Sequence, residues 1–415
     1  MQSTIQGMFG ILFFLSFAWV MSENRNNVSL TFVIKGVLIQ LFIGVLLLKL
    51  PFFRDLFLYL NKLVVAIQES TTAGTSVVFG YLGGADLPFE EITPGSSFIL
   101  AFQALPLLIV ISALSALLFY WRILPVVVHF FSNILQKTMN IGGAEGVGLS
   151  ANIFVGMVEA PVLIRPYLNK MTRSELFSLM TCGMATIAGT VMVLYASILS
   201  NIIPDAMGHI LTASIISAPA AITIAKIMIP ETDKITSDDI ALSNEAESSM
   251  DAITNGTIQG VQLFINIVAM LISLVAIVHL INTFLCIFPD ISGEPISLQR
   301  ISGLIMSPLV WLMGIPWHEA PIAGALMGSK TILNEFIAYL DLSHLPEGSL
   351  QPKSLIIMTY ALCGFANPGS LGIMIGGMGT MAGERRQEIV SLGFRSIVAG
   401  TLATCMTGAV VGIIL

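Results

Sequence analysis

Two stretches of this chain of 415 residues place charged and polar residues among apolar neighbours. The first, NIFVGMVEAPVLIRP, runs from Asn152 to Pro166 and holds Glu159 between a glycine and two prolines. The second, 301–340, holds Glu335 and a His-Glu pair. A charge within hydrocarbon is costly, about 2.5–3.5 kcal/mol on insertion scales, and usually marks a transport pathway where it is retained. We therefore expect both stretches to line a binding site.

The first stretch and the segment that follows it offer oxygen ligands for a cation. A helix that breaks within a membrane frees backbone carbonyls, which can bind a hard ion such as Na⁺. Asn152 offers an amide oxygen, Thr186 a hydroxyl, and Val155 and Ile187 backbone carbonyls. The alternative is structural: Asn152 caps a short helix and Thr186 bonds the backbone of its own helix.

The second stretch offers groups that suit a solute rich in hydroxyls. Glu335 supplies a carboxylate, Asn367 an amide and Ser370 a hydroxyl. In a dry site, such groups replace the water that hydrated a neutral, polyhydroxylated ligand. Alternatively, Glu335 pairs with a basic residue or only caps a helix. The His-Glu pair in PWHEAP lies between prolines, which favours a polar corner over acid–base chemistry.

Composition predicts the elements that position these groups. The chain is 55% hydrophobic and only 10% charged, with a mean hydropathy of +0.88, whereas soluble domains carry about 25% charged residues. We predict an all-α integral membrane protein, because period-two alternation is missing. No basic tract suggests nucleic acid. Four cysteines without paired spacing are predicted to be packing residues.

Eight apolar segments are predicted to span the membrane, each near the length of about 20 residues that a span needs. They are Ile5–Met21, Phe32–Leu50, Phe98–Trp121, Gly183–Ile203, Ala206–Ile229, Ile258–Phe288, Ser354–Met378 and Ile389–Leu415. Two amphipathic segments, Pro51–Ile67 and Val126–Met139, are predicted to lie along the interface.

The order of elements repeats. A broken hairpin (141–168), a span interrupted near Gly183–Thr190 and a plain span are followed later by a second broken hairpin (301–340), a span interrupted at Gly364–Ser370 and a plain span. Paired interrupted segments in two halves of a chain indicate a transporter's binding site. Basic clusters at 165–173 and 383–386, with no basic residue before the first span, place both termini outside. The two hairpins then enter from opposite sides, as inverted repeats.

This pattern divides the chain into five predicted parts. They are 1–139 (N-terminal helices, interfacial helix and scaffold), 140–229 (first transport repeat), 230–256 (an acidic cytoplasmic loop), 257–300 (scaffold helix and connector) and 301–415 (second transport repeat).

The motifs resemble those of the concentrative nucleoside transporters. The similar segments are NIFVGMVEAPVLIRPYL, MTRSELFSLMTCGMATIAGTVM, NEFIAY and CGFANPGS, with GTSVVFG and PETDK in addition. The resemblance runs from about residue 30 to the end. It implies a bacterial inner-membrane homotrimer in contact with lipid. Each subunit would have eight spanning helices, two opposed hairpins, a scaffold and an elevator-type transport domain, and would couple nucleoside uptake to Na⁺ or H⁺.

The resemblance also assigns roles to residues. The sodium positions fall on Asn152, Val155, Thr186 and Ile187; because proton-driven members tend to lack the Asn, we expect Na⁺. The positions that bind the nucleoside fall on Gly156, Met157, Val158, Glu159, Glu335, Phe365, Asn367 and Ser370.

The base-reading motif departs from the family pattern. Many members have Gly-Gln-Thr-Glu where this chain has Gly156-Met157-Val158-Glu159. Loss of two hydrogen-bonding groups disfavours small pyrimidines, and Met packs well on large aromatic faces. The Gly-Met pair, with Thr186, is also similar to members that prefer purines. The hypothesis is therefore a purine-preferring nucleoside:Na⁺ symporter.

Other functions remain as alternatives. They are proton coupling on the same fold, transport of a nucleobase or modified nucleoside, and a nucleoside-gated channel or sensor. An intramembrane enzyme is disfavoured because the chain has no metalloprotease, serine-hydrolase or phosphate-loop motif, and its glycine-rich matches lack a strand–turn–helix context.

Overall fold

The computed structural model describes residues 2–91, 97–200, 202–236, 246–289 and 295–415. Its described residues form helices joined by short turns. The α-helices are α1 (Gln2–Val20), α2 (Leu30–Lys49), α3 (Pro51–Phe79), α4 (Leu100–Gln103), α5 (Leu107–Tyr120), α6 (Ile123–Met139), α7 (Gly143–Phe154), α8 (Glu159–Leu163), α9 (Arg165–Leu168), α10 (Arg173–Ala185), α11 (Gly189–Leu199), α12 (Ala206–Met228), α13 (Ser249–Leu285), α14 (Leu298–Leu312), α15 (Ala320–Ile332), α16 (Glu335–Ser343), α17 (Pro352–Leu362), α18 (Pro368–Met381) and α19 (Arg386–Ile414).

Seven helical segments within the described ranges are long and apolar enough to cross a membrane. They are Ser3–Val20, Leu30–Lys49, Leu100–Tyr120, Arg173–Leu199, Ala206–Met228, Ser249–Leu285 and Gly383–Ile414. Each corresponds to a predicted span, and α17 with α18 covers the remaining one. The spans formed by α10 with α11, by α12 and by α19 are largely buried and form the interior, whereas α13 is mostly exposed.

Contacts between distant residues define two ends of the molecule. At one end, which we call the Glu23 end, Glu23 forms ion pairs with Arg173 (2.9 Å) and with Arg395. At the opposite end, which we call the Ser3 end, the Lys353 ammonium donates to the Ser3 hydroxyl at 3.0 Å. Because α1 runs from Ser3 towards Glu23, these ends lie on opposite sides of the spanning helices.

The two hairpins open towards opposite ends. The first, α7 to α9, returns to the Glu23 end, where Arg385 donates to the carbonyl of Leu168 at 3.0 Å. The second, α15 and α16, begins at the Ser3 end, where Glu319 accepts from the backbone N–H of Gln351 at 3.3 Å. Their opposed directions give the inverted arrangement that the order of elements predicts.

The second broken stretch differs from the prediction. The predicted hairpin at 301–340 contains three helices, α14, α15 and α16, rather than two. Gly314, with φ of +104°, and Pro316 turn the chain sharply after α14. The returning α15 then packs closely on α14, because a Cβ at Gly324 would lie 2.5 Å from the carbonyl oxygen of Gly303. The hairpin at the site is therefore α15 and α16, with its tip at 333–334.

Some predicted boundaries also shift. The amphipathic helix expected at Pro51–Ile67 continues to Phe79. In its polar part, the hydroxyls of Ser70, Thr71 and Thr72 donate to backbone carbonyls four residues earlier in the same helix. The acidic loop predicted at 230–256 ends earlier, since α13 begins at Ser249, capped by the hydroxyl of Ser248. Residues 237–245 of that loop lie outside the described residues.

Two local predictions can be compared directly with the structure. His318 is exposed and its ring lies 3.5 Å from the buried carboxylate of Glu319, which forms a polar corner at the start of α15. The four cysteines are free thiols, three of them buried and Cys286 exposed. The three buried thiols agree with the predicted packing role, whereas the exposed Cys286 does not.

Candidate functional site

The tip of the second hairpin places a buried carboxylate at the start of a helix. Asn334 has extended backbone angles and caps α16, and its side-chain oxygen accepts from the N–H of Ile337 at 2.9 Å. The Asn-Glu pair therefore stops α15 and starts α16 with Glu335 as its first residue. Glu335 is only 5% exposed. Its position at a helix N-terminus favours a negative charge.

Two side chains from other helices hold the Glu335 carboxylate. Tyr195 on α11 donates its hydroxyl to Oε1 at 2.7 Å, and the Asn367 amide donates to Oε2 at 2.9 Å. Asn367 also caps α18, because its side-chain oxygen accepts from the N–H of Ser370 at 2.8 Å. The carboxylate pairs with no basic residue in the part of the chain described, contrary to the first of the two structural alternatives. It is thus oriented by neutral donors and keeps acceptor capacity for a ligand.

The breaks in the two interrupted spans pack against each other. Gly364 lies in the break between α17 and α18, and a Cβ there would approach the carbonyl oxygen of Met184 at 2.9 Å. Met184 is in the last turn of α10, which ends at Ala185 before the break. The close approach explains the glycine in CGFAN and brings both sets of freed backbone groups to one depth in the molecule.

Most of the predicted nucleoside-binding residues line one cavity. Residues of the first hairpin, both broken spans and the second hairpin form its walls, together with one face of α13. The predicted residues in its lining are Met157, Val158, Glu159, Glu335, Phe365, Asn367 and Ser370. The structure therefore brings together groups that are up to about half the chain apart in sequence, as a shared site requires.

Gly156 stands beside this cavity and shapes the tip of the first hairpin. Its φ of +124° is accessible to glycine but strained for other residues. A Cβ there would lie 2.8 Å from both the Ala188 Cβ and the Glu159 Oε2. The Glu159 carboxylate thus folds back over the tip, at the start of α8, and its side chain is the more exposed of the two cavity glutamates.

The predicted sodium ligands lie where two helix C-termini meet. Asn152 is in the last turn of α7, and Thr186 is the C-cap of α10. The Thr186 hydroxyl lies 3.4 Å from the Asn152 carbonyl oxygen. Helix C-termini carry partial negative charge and carbonyls without helical partners, so this junction favours a cation. Val155 follows as the C-cap of α7, and Ile187 lies in the break before α11.

The donor set at this junction fits a small hard cation. The Asn152 side-chain oxygen is buried and has no hydrogen-bond partner, an arrangement that is unfavourable unless a ligand satisfies it. No cluster of His, Cys, Asp or Glu that could hold a transition metal occurs among the described residues. Thr186 also donates to the Cys182 carbonyl at 2.8 Å, which is the backbone bond of the structural alternative. Its lone pairs remain available to an ion.

The ion junction and the cavity share neighbouring residues. Met157, which lines the cavity, packs on α10 so closely that a Cβ at Gly183 would lie 2.9 Å from its Cβ. The side-chain nitrogen of Asn152 would lie 3.8 Å from that same Cβ. Ala188, two residues after Thr186, also lines the cavity. Ordering of the junction can therefore act on the cavity through direct packing.

Several residues that line the cavity are not predicted from the sequence. Tyr195, Thr190 and Phe336 lie on the helices that flank the breaks, and α13 adds Asn266 and Met270. Tyr195 is the seventh residue of α11, which begins at the end of the GMATIAGT segment. Only a three-dimensional register between α11 and α16 identifies it as a partner of Glu335.

We expect Tyr195→Phe to raise the nucleoside concentration for half-maximal uptake by about tenfold. The substitution removes one hydrogen bond to a buried charged group, worth about 1.5–3 kcal/mol. Concentration-dependent uptake of labelled nucleoside measures the change. Tyr339→Phe is the matched control, because that buried hydroxyl donates to the Thr359 carbonyl and not to Glu335. Equal effects of both substitutions would contradict a specific role for Tyr195.

Comparison with known proteins matches three segments of the chain to family models. Residues 9–82 match the family described as "Na+ dependent nucleoside transporter N-terminus", and residues 209–412 match its "C-terminus" counterpart. Residues 101–202 match a family described as "Nucleoside recognition".

Relatives and a solved structure are similar to this chain over almost its whole length. The nucleoside permease NupC of Helicobacter pylori is 33% identical over 417 residues, which cover 99% of this chain and 98% of the relative. Human solute carrier family 28 member 3 is 34% identical over 432 residues, which cover 100% of this chain and 60% of the human protein. The structure of CNTnw in an inward-facing substrate-bound state matches with a TM-score of 0.90 at 32% identity, over 99% of this chain and 98% of that one.

Proposed function

Because the chain belongs to the family of Na⁺ dependent nucleoside transporters, we propose that it is a purine-preferring nucleoside:Na⁺ symporter. Family membership and the all-α elevator-type fold are as predicted from the motifs. The relatives are transporters and permeases rather than enzymes, also as predicted. The substrate range, the ion ligands and the assembly are the proposed parts.

The observation that carries the proposal is the Glu335 carboxylate with Asn367 and Tyr195 at a cavity wall. A ribose has vicinal hydroxyls that donate to a carboxylate and accept from an amide. Glu335 and Asn367 present these groups side by side, with Ser370 on the same wall. We assign the sugar to this polar wall. The base then faces the opposite, apolar part of the cavity.

The apolar part of the cavity supports a purine preference. Met157 and Val158 line this part, and α13 adds Leu263, Ile267 and Met270. A thioether and alkyl groups pack on the extended face of a purine but leave the polar edge of a pyrimidine unsatisfied. Asn266 is the polar residue that α13 contributes to the lining, and it is a candidate to contact the base.

We propose that Na⁺ binds at the junction of α7 and α10. Asn152 and Thr186 would supply side-chain oxygens, and Val155 and Ile187 backbone carbonyls. The partnerless Asn152 oxygen supports this assignment. In the proposed cycle, Na⁺ holds the first hairpin tip against the break before α11. The groups that face the nucleoside are then ordered before it binds.

The division into moving and fixed parts is also proposed. The two hairpins, both interrupted spans, α12 and α19 would form the transport unit. The close pair of α5 and α13 would belong to the scaffold, because Gly256 and Gly260 let α13 contact Ser112 and Ile109 directly. We further propose a homotrimer in a bacterial inner membrane, with both termini outside and the Glu23 end facing the cytoplasm.

Uptake into proteoliposomes with imposed ion gradients tests this function. An inward Na⁺ gradient should concentrate labelled adenosine, and excess purine nucleosides should compete better than uridine, hypoxanthine or pseudouridine. A sodium ionophore should abolish accumulation. Concentrative uptake driven only by a proton gradient would contradict Na⁺ coupling, and stronger competition by hypoxanthine would indicate a nucleobase transporter. Equilibration without accumulation would indicate a channel.

The base-facing residues give a specificity prediction. We expect the double substitution Met157→Gln with Val158→Thr to raise the ratio of uridine to adenosine uptake by about tenfold or more, since a site with hydrogen-bonding partners discriminates strongly between polar edges. Uptake of both nucleosides by one preparation measures the ratio, and adenosine uptake controls for expression and folding. An unchanged ratio would remove these two residues from the base-reading part of the site.

A further inference from the structure

A lysine is buried in the second hairpin without a carboxylate partner. Lys330 on α15 has no exposed surface. Its ammonium donates to the Ala361 carbonyl at 2.8 Å and to the Thr404 hydroxyl at 3.0 Å. Within the described part of the chain, no ion pair involves this ammonium. A buried charge that is held only by neutral acceptors is expensive, so its position calls for a specific explanation.

The groups around Lys330 form a cation site. Ala361 is in the last turn of α17, which ends at Leu362 before the CGFAN break. The carbonyls of a last helical turn lack helical partners and carry the negative end of the helix dipole. Thr404 adds a hydroxyl oxygen from α19. The ammonium thus occupies a place that a free monovalent cation could occupy with the same oxygens.

This place corresponds to the proposed sodium site in the other repeat. Asn152 is the third residue from the end of α7, and Lys330 is the third residue from the end of α15. Each belongs to the first arm of a hairpin and faces the last turns of a broken helix. Asn152 contacts the Leu179 carbonyl of α10 at 3.5 Å, as Lys330 contacts Ala361 of α17.

The broken helices themselves show the same relationship in their sequences. The first breaks at CGMAT (182–186) and the second at CGFAN (363–367). In both motifs the glycine is in the last turn of the helix or in the break that follows it. The final polar residue caps a helix in both, Thr186 as the C-cap of α10 and Asn367 as the N-cap of α18. Both repeats therefore have a junction between the first arm of a hairpin and a broken helix. In the first repeat this junction contains Asn152, whose side-chain oxygen has no partner, and in the second it contains the Lys330 ammonium.

We propose that the Lys330 ammonium is a permanent cation that takes, in the second repeat, the position that corresponds to the sodium site of the first. The second junction is then held together without an exchangeable ion, and the transport unit needs Na⁺ at one junction only. This inference rests on the proposed sodium site at Asn152. It adds that Lys330 is the reason why one Na⁺ is sufficient.

The test is the sodium dependence of nucleoside uptake in two substituted proteins. Lys330→Asn introduces the residue that the first repeat uses, and Lys330→Met removes the charge without an oxygen ligand. For Lys330→Asn we expect uptake that recovers at high Na⁺, with a Hill coefficient that rises from about one towards the two that two sites permit. For Lys330→Met we expect reduced uptake that Na⁺ does not restore.

Controls separate this proposal from its premise and from misfolding. Thr404→Val keeps the ammonium and should keep a Hill coefficient near that of the unsubstituted protein. Size-exclusion profiles and the thermal shift of purified protein in Na⁺ against K⁺ report folding and ion binding without transport. If the proposed sodium site at Asn152 were wrong, the sodium curve of Asn152→Ala would be unchanged. The Lys330 variants do not test that premise. An unchanged sodium curve in both Lys330 variants, or equal loss in both at every Na⁺ concentration, would overturn the proposal.

Discussion

Glu335→Gln is expected to lower nucleoside uptake at low substrate concentration by between about tenfold and a hundredfold. The substitution preserves shape but replaces a charged acceptor by a neutral amide. Hydrogen bonds to a charged group are worth about 1.5–3 kcal/mol, and each 1.4 kcal/mol is about tenfold in affinity. The new amide would also point a donor at Tyr195 or Asn367, which both now donate to the carboxylate.

The measurement is concentration-dependent uptake, supported by calorimetric binding of the nucleoside to purified protein. Glu319→Gln is a matched control, because Glu319 is also buried at the start of a hairpin helix but lies at the Ser3 end and bonds the Gln351 backbone. Both variants should elute from size exclusion like the unsubstituted protein. Normal nucleoside affinity in Glu335→Gln would exclude Glu335 from the site.

Asn152→Ala is expected to raise the Na⁺ concentration for half-maximal uptake by about tenfold or more. The substitution removes one of a few oxygens proposed to bind the ion, and interactions with a charged group are of the order of 1.5–3 kcal/mol. Maximal uptake at saturating Na⁺ should change less, because the other ligands remain. Uptake measured over a range of Na⁺ concentrations at constant ionic strength gives the shift.

Ser150→Ala is the matched control for the sodium prediction. Ser150 lies on the same helix and its hydroxyl is likewise buried and without a partner, but it is not one of the four residues proposed to bind the ion. Its sodium curve should be unchanged. An unchanged curve in Asn152→Ala, together with uptake that follows a proton gradient, would replace sodium coupling by proton coupling.

The proposed mechanism treats ion and nucleoside binding as one coupled process. Na⁺ would fix the α7 tip to the α10–α11 break, and the nucleoside would then bind residues that are already ordered. Met157 is well placed to transmit this effect because it and the Asn152 side chain both approach Gly183 of α10, and because it lines the cavity. The membrane potential adds about 2.3 kcal/mol per charge per 100 mV to the driving force.

The breaks in apolar segments were the most predictable part of the fold. Glycines, prolines and charges inside spans identify helices that cannot cross unbroken, and the order of these breaks gives the repeat. Capping residues such as Asn334 and Asn367 also follow from local chemistry, since an Asn before a helix satisfies its first N–H groups. These signals are local, and they locate the tip of the first hairpin near Gly156 but not the tip of the second at 333–334.

Long-range partners were not predictable from such patterns. Nothing near Tyr195 in the sequence distinguishes it from a packing aromatic, because its role depends on how α11 faces α16. The three-helix form of 301–340 was missed because charges and prolines near residue 318 resemble a hairpin tip, whereas the turn there only returns α15 along α14. Lys330 was missed for the same reason, since its oxygen partners come from α17 and α19.

The most direct test measures nucleoside binding to the purified protein at low and high Na⁺, in the unsubstituted chain and in Asn152→Ala. It tests whether two opposed hairpins together hold one ion and one sugar. We predict that Na⁺ tightens adenosine binding by about tenfold, within the usual range of coupling between two sites, and that Asn152→Ala removes most of this gain. Equal adenosine affinity at both Na⁺ concentrations in the unsubstituted protein would contradict the account.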